Sequence, residues 1–179
     1  GWGLLLAFSA LFNLLAIFEP RAGAAYNLGV AALQRGQVDQ AVACFRNALE
    51  VRPDFAQAHN NLGAVLLRQG KVAEAVGHHA AALRLKLDYT EAHYNMGIAL
   101  VQQGRVPEAM GHYEQALRLK PDFADAHYNL GVALFQQGRV AEAIGQYEQT
   151  LRLKPEFADA HYNLGVALVQ ASRVAEAVG

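Results

Sequence analysis

Residues 124–137, ADAHYNLGVALFQQ, carry two apolar stripes at helical spacing. Ala126, Leu130 and Leu134 repeat every fourth residue and share one face. Tyr128, Val132 and Phe135 form a second stripe, with Asn129 and Gln136 along its rim. Residues 140–154, VAEAIGQYEQTLRLK, are again amphipathic at helical period. Gly138 lies between the two stretches, where a helix end favours a left-handed residue, and Pro155 closes the second. The pattern predicts a helix, a tight turn and a second helix.

The same pattern runs through most of the chain. Gly29, Gly63, Gly97, Gly131 and Gly165 are 34 residues apart, and so are Ala41, Ala75, Ala109, Ala143 and Ala177. A fixed period of this size predicts stacked helix pairs, none of which buries enough surface alone. The units are 22–55, 56–89, 90–123 and 124–157, with a partial unit at 158–179. Departures are Leu87 where a proline is expected, His79 in an aromatic slot, Thr150 in a small one, and Ser172 for the turn glycine. They predict local softening only, with VAEAVG after Arg173 starting a second helix in the last unit. Gly77, Gly111 and Gly145 fall inside second helices, where each costs about 1 kcal/mol relative to alanine. Their recurrence predicts a close backbone approach.

The Leu-Gly pairs (Leu28-Gly29, Leu62-Gly63, Leu130-Gly131, Leu164-Gly165, with Met96-Gly97 as a variant), the turn glycines, the alanines, the aromatic Phe45, Tyr113 and Tyr147, and the late prolines resemble the tetratricopeptide repeat from residue 22 to 179. The resemblance implies an all-α fold, a right-handed solenoid of antiparallel helix pairs. It also implies that first helices line the inner curve.

There the second stripe becomes a groove. Asn27, Asn61, Asn95, Asn129 and Asn163 recur along it, each next to Tyr26, Asn60, Tyr94, Tyr128 or Tyr162, with Gln102 and Gln136 on the same rim. A carboxamide offers one acceptor and two donors, enough to pair with a peptide's N–H and C=O whatever its sequence. The column is similar to the asparagine ladder in the tetratricopeptide superhelix of O-linked N-acetylglucosamine transferases. That resemblance implies that the five asparagines bind peptide main chain, with the tyrosines gripping side chains. Alternatively each asparagine bonds between units and fixes their stacking, and the two roles can coexist.

Composition narrows the function. A net charge of −1 argues against a nucleic-acid partner. Acidic residues in first turns and basic ones in last turns complement helix dipoles. Cys44 is the only cysteine. His59, His93, His127 and His161 form a further column, one repeat apart and too far from one another to share a metal, so no metal or cofactor is expected. No nucleophile or phosphate-binding motif appears, and a non-enzymatic scaffold follows. Residues 1–18, GWGLLLAFSALFNLLAIF, carry no charge and, with a linker to residue 21, precede the repeats. They predict an apolar helix buried in lipid or against another copy, which makes the chain membrane-associated or the subunit of a self-assembling filament in which this helix packs on a neighbour's last repeat. A third possibility, drawn from the family, is the arm of a membrane glycosyltransferase.

Overall fold

The computed structural model describes residues 21–178, with side chains described through Arg173. The apolar segment 1–18, and with it the expected membrane or assembly helix, lies outside the described residues. The described chain is helical throughout: α1 (21–34), α2 (Val38–Val51), α3 (Ala56–Arg68), α4 (Val72–Leu85), α5 (Thr90–Gln102), α6 (Val106–Leu119), α7 (Ala124–Gln136), α8 (Val140–Leu153) and α9 (Ala158–Val178). No strand occurs among the described residues, and no helix there is long and apolar enough to cross a membrane. Two compact units divide at Leu87 and Asp88. The first holds α1 to α4 and the second α5 to α9.

The turns within pairs follow from one residue type. Gly36, Gly70, Gly104 and Gly138 have φ between 72° and 75°, the left-handed region. At the last of these, Gly138 N–H donates to Phe135 O (3.0 Å) and Arg139 N–H to Leu134 O (3.0 Å), the bond pattern of a Schellman cap. Where Ser172 replaces glycine the turn is lost, and α9 runs on unbroken for 21 residues. This corrects the expected second helix of the last unit. A left-handed L-residue costs about 1–2 kcal/mol, so the chain stays right-handed. Ser172 Oγ–H donates back to Leu168 O (3.1 Å) or Val169 O (3.0 Å), a bond that fits a continuing helix.

Each complete pair packs a ring against a glycine. Phe45, His79, Tyr113 and Tyr147 are buried, and their rings lie over Gly29, Gly63, Gly97 and Gly131. A Cβ on Gly131 would stand 2.7 Å from Tyr147 Cε1, so no larger residue fits without movement. Ala41, Ala75, Ala109 and Ala143 are fully buried, as short side chains between close helices must be. Leu62 and Leu66 supply core volume in the first unit, Leu130 and Leu134 in the second. Thr150 is buried in the small slot and satisfies its hydroxyl by donating to Gln146 O at 2.9 Å.

The close approach expected at Gly77, Gly111 and Gly145 is not made among the described residues. A Cβ at each would meet nothing within 4 Å. Each glycine-to-alanine change there should raise stability by about 0.4–1 kcal/mol, chiefly by restricting the unfolded chain. Chemical denaturation of the three single variants checks this.

Candidate binding face of the first helices

Three first-helix tyrosines are built into the stack between consecutive repeats. Tyr26 lies 5.8 Å from Phe45 and 4.9 Å from Phe55 between ring centroids. Tyr94 takes the same place between Tyr113 (6.1 Å) and Phe123 (4.7 Å). Tyr128 does so between Tyr147 (6.2 Å) and Phe157 (4.9 Å). These tilted arrangements suit the quadrupoles of paired rings. All three tyrosines are half-buried, with one edge in the stack and the rest toward solvent.

Their hydroxyls meet the asparagines. Asn61 Nδ2–H donates to Tyr26 Oη at 3.1 Å, Asn129 to Tyr94 at 3.1 Å, and Asn163 to Tyr128 at 3.0 Å. Each bond joins an asparagine to the tyrosine of the repeat before it. Burial raises the Tyr94 and Tyr128 hydroxyls above the usual phenol range, the charges of Asp125 and Asp159 add to this, and the asparagine bond opposes it. Both phenols are therefore neutral at pH 7 and available as acceptors. One N–H of each of these asparagines is used in this way, and its carbonyl oxygen and second N–H are the groups left to reach a ligand.

The remaining predicted residues sit around this frame. Asn27, Gln102 and Gln136 are exposed and Asn95 is half-buried. Val132 and Phe135, from the second stripe, are half-buried against the core of the second unit. Tyr162 is 73% exposed, and Val166 and Val169 beside it are exposed too. These three line a cavity of about 590 Å³ with His161, Gly165 and Gln170. Three of the asparagines make bonds between repeats of the kind the sequence leaves open as an alternative, with a tyrosine as the partner that it does not name. Their signal was present in the adjacency of the two columns, because an asparagine one repeat on from a tyrosine lies 35 residues away each time.

The histidine column has a local role. His59 Nε2–H donates to Pro53 O at 2.9 Å, His127 to Pro121 O at 3.0 Å, and His161 to Pro155 O at 2.7 Å. Each ring thereby ties the inter-repeat loop to the helix that follows it.

Glycine-capped helix pairs, a ring over a glycine in each complete pair and the 34-residue register together define a helical-repeat protein. The tetratricopeptide repeat profile matches residues 26–90, 94–152 and 141–179, and the chain belongs to that family. Among curated proteins none matches the sequence. Among solved structures the chain is similar to a crystal structure of MamA, at 25% identity over 88% of this chain and 86% of that one, with a TM-score of 0.78. It is similar to PilF of Pseudomonas aeruginosa, at 27% identity over 87% of this chain and 71% of that one, with a TM-score of 0.78. It is also similar to YrrB, described as a TPR protein with an unusual peptide-binding site, at 25% identity over 83% of this chain and 76% of that one, with a TM-score of 0.72.

Proposed function

We propose that this chain is a protein-interaction scaffold, not an enzyme, and that within each compact unit it holds extended peptide along the first helices. The observation that carries the reading is the asparagine column. Asn61, Asn129 and Asn163 are oriented by a tyrosine one repeat back, which leaves a carbonyl oxygen and an N–H on each. Amides held in this way can pair with successive peptide units at little further entropic cost. Exposed Gln102 and Gln136 extend the polar rim, and the half-buried Val132 and Phe135 offer apolar surface beside it. The similarity to YrrB, whose description includes a peptide-binding site, supports the same reading.

The test separates binding from stacking. Peptides selected from a display library on the parent chain are titrated against Asn129→Ala, Asn95→Ala and Tyr94→Phe. Each lost asparagine bond should cost about 0.5–1.5 kcal/mol of affinity. Tyr94→Phe removes the hydroxyl that orients the amide but leaves the amide itself, and should cost less affinity than Asn129→Ala. Peptide binding to Asn129→Ala as tight as to the parent would exclude the ladder as a binding device. Equal weakening by Tyr94→Phe and Asn129→Ala would assign the pair to stacking.

A second reading, self-assembly, draws on a different observation. Tyr162, Val166 and Val169 of α9 form an exposed apolar stripe, and Leu168 on the neighbouring stripe is exposed too, apolar surface of the kind that another polypeptide covers. Residues 1–18 of a second copy are the occupant proposed, as a head-to-tail contact that need not close. Sedimentation without detergent of the intact chain and of a form lacking residues 1–20 decides it. Assembly by the first and not the second supports this reading, and a monodisperse intact monomer ends it.

A further inference from the structure

The helix pairs bring together histidines that lie on different helices. His59 Nδ1 stands 3.0 Å from His78 Nδ1 in the first unit. His93 Nδ1 stands 3.0 Å from His112 Nδ1 in the second. We propose that each of these pairs is a two-imidazole site for a borderline divalent transition metal, with copper(II) bound most tightly.

The geometry suits a shared ion. Two metal–nitrogen bonds of about 2.0–2.1 Å set at about 90° place their nitrogens about 2.9 Å apart, and about 3.4 Å apart at a tetrahedral angle. The observed separations fall between these values. The rings now meet nearly head-on, with centroids 5.2 and 5.3 Å apart, so each must turn for both lone pairs to converge on an ion. His59 gives its Nε2–H to Pro53 O, which leaves the lone pair of the neutral ring on Nδ1, facing His78. A ring N–H held by a backbone carbonyl is the usual outer support of a metal-bound histidine. In the metal-free pair His78 Nδ1–H donates to His59 Nδ1. When a metal enters, that proton leaves Nδ1 and Nε2 of the same ring takes one up, so His78 changes tautomer and no net proton is released.

The local charges suit it too. The nearby guanidinium groups are answered by carboxylates, Arg46 by Glu74 at 3.4 Å and Arg105 by Glu108 at 2.6 Å. Among the described residues no group of three or more histidine, cysteine or acidic side chains is placed to hold an ion, so each pair supplies two ligands and water the others. Imidazole sites of this kind favour copper(II) over nickel(II) and zinc(II).

The fold does not require the pairing. The equivalent positions are Ala25 and Cys44 in the first repeat and His127 and Gln146 in the fourth. His127 keeps its bond to the Pro121 carbonyl there and meets Gln146 Oε1 at 2.7 Å through its Nδ1. A His–Gln pair therefore satisfies the same packing, and the second histidine of the middle repeats is free to serve another purpose.

The test is calorimetric titration of copper(II), nickel(II) and zinc(II) into the intact, tag-free chain, beside His78→Gln, His112→Gln, the double variant and a His127→Gln control. The glutamine variants copy the pair already present in the fourth repeat. His59→Ala, which copies Ala25, provides a second route to losing the first site. The proposal expects one ion fewer in each single variant and two fewer in the double, an unchanged count in the control, and copper(II) tightest. Copper(II) should also broaden the ring resonances of His59, His78, His93 and His112 in NMR spectra and leave those of His161 sharp. An equal number of ions bound by the parent and the double variant, or none bound by the parent, would overturn it.

Discussion

Tyr147→Ala should destabilise the second unit by about 3–5 kcal/mol, the range for emptying a buried aromatic site. Tyr147 is 1% exposed, its ring lies across Gly131, and it belongs to the cluster that includes Leu130, Leu134 and Ala167. Burial also pushes its hydroxyl up to about 12, so the ring is neutral at any pH used to study the fold. The loss should appear in denaturant melts and, locally, as faster amide exchange in α7 and α8. A sign reversal checks the mechanism. Gly131→Ala should destabilise the parent, because the new Cβ meets the ring at 2.7 Å. In the Tyr147→Ala background the ring is gone and only Gln146 Cβ stays close, at 3.3 Å, so once α8 gives by a few tenths of an ångström the same change should stabilise the helix, by at most about 1 kcal/mol. A Gly131→Ala cost that is equal in both backgrounds would show that the ring is not what demands the glycine.

The second large effect is acid sensitivity at His79. This ring is fully buried in the slot held elsewhere by Phe45, Tyr113 and Tyr147. Its Nδ1–H donates to Asn60 Oδ1 at 3.2 Å, and its Nε2 is buried without a partner among the described residues. Burial, helped by His78, lowers its pKa from 6.5 to about 4. The sign follows from proton counts. Above pH 6.5 the ring is neutral whether the chain is folded or not, and stability is unaffected. Between 6.5 and about 4 the unfolded chain takes up a proton that the folded one refuses, so stability falls as pH falls. Below about 4 the loss levels off, at about 3 kcal/mol. His78 and His112 are also held low and shift stability in the same direction. His79→Phe, which copies Phe45, isolates the effect. The stability difference between parent and variant should change by about 3 kcal/mol across this window and be flat above it. A difference that does not vary with pH would show that the folded chain protonates His79 as readily as the unfolded one does.

Most of the architecture could be read from the sequence because it is set by local chemistry. The 34-residue period, the helix pairs and the turns at Gly36, Gly70, Gly104 and Gly138 follow from helical spacing and from the cost of a left-handed residue. The loss of the last turn was legible on the same ground, since Ser172 stands where the other repeats have glycine. Reading it as a softened turn undervalued that cost. The second stripe was also visible, but its double use was not. Tyr128, Val132 and Phe135 look like a groove by spacing, yet half of each packs into the core of the second unit.

The candidate site itself depended on tertiary structure. The sequence places an asparagine beside a tyrosine in most repeats, and only the stacked helices show Asn129 bonding back to Tyr94 of the previous repeat. It shows columns of histidines one repeat apart, and only the packed pairs bring His59 to His78 and His93 to His112. It suggests crowding at Gly77, Gly111 and Gly145, and the described residues leave them open. The physical reason is common to all three. Periodicity determines which residues share a face of one helix. Which faces meet depends on how each helix is rotated about its axis and shifted along its neighbour, and that is decided by bulky contacts such as Tyr147 on Gly131.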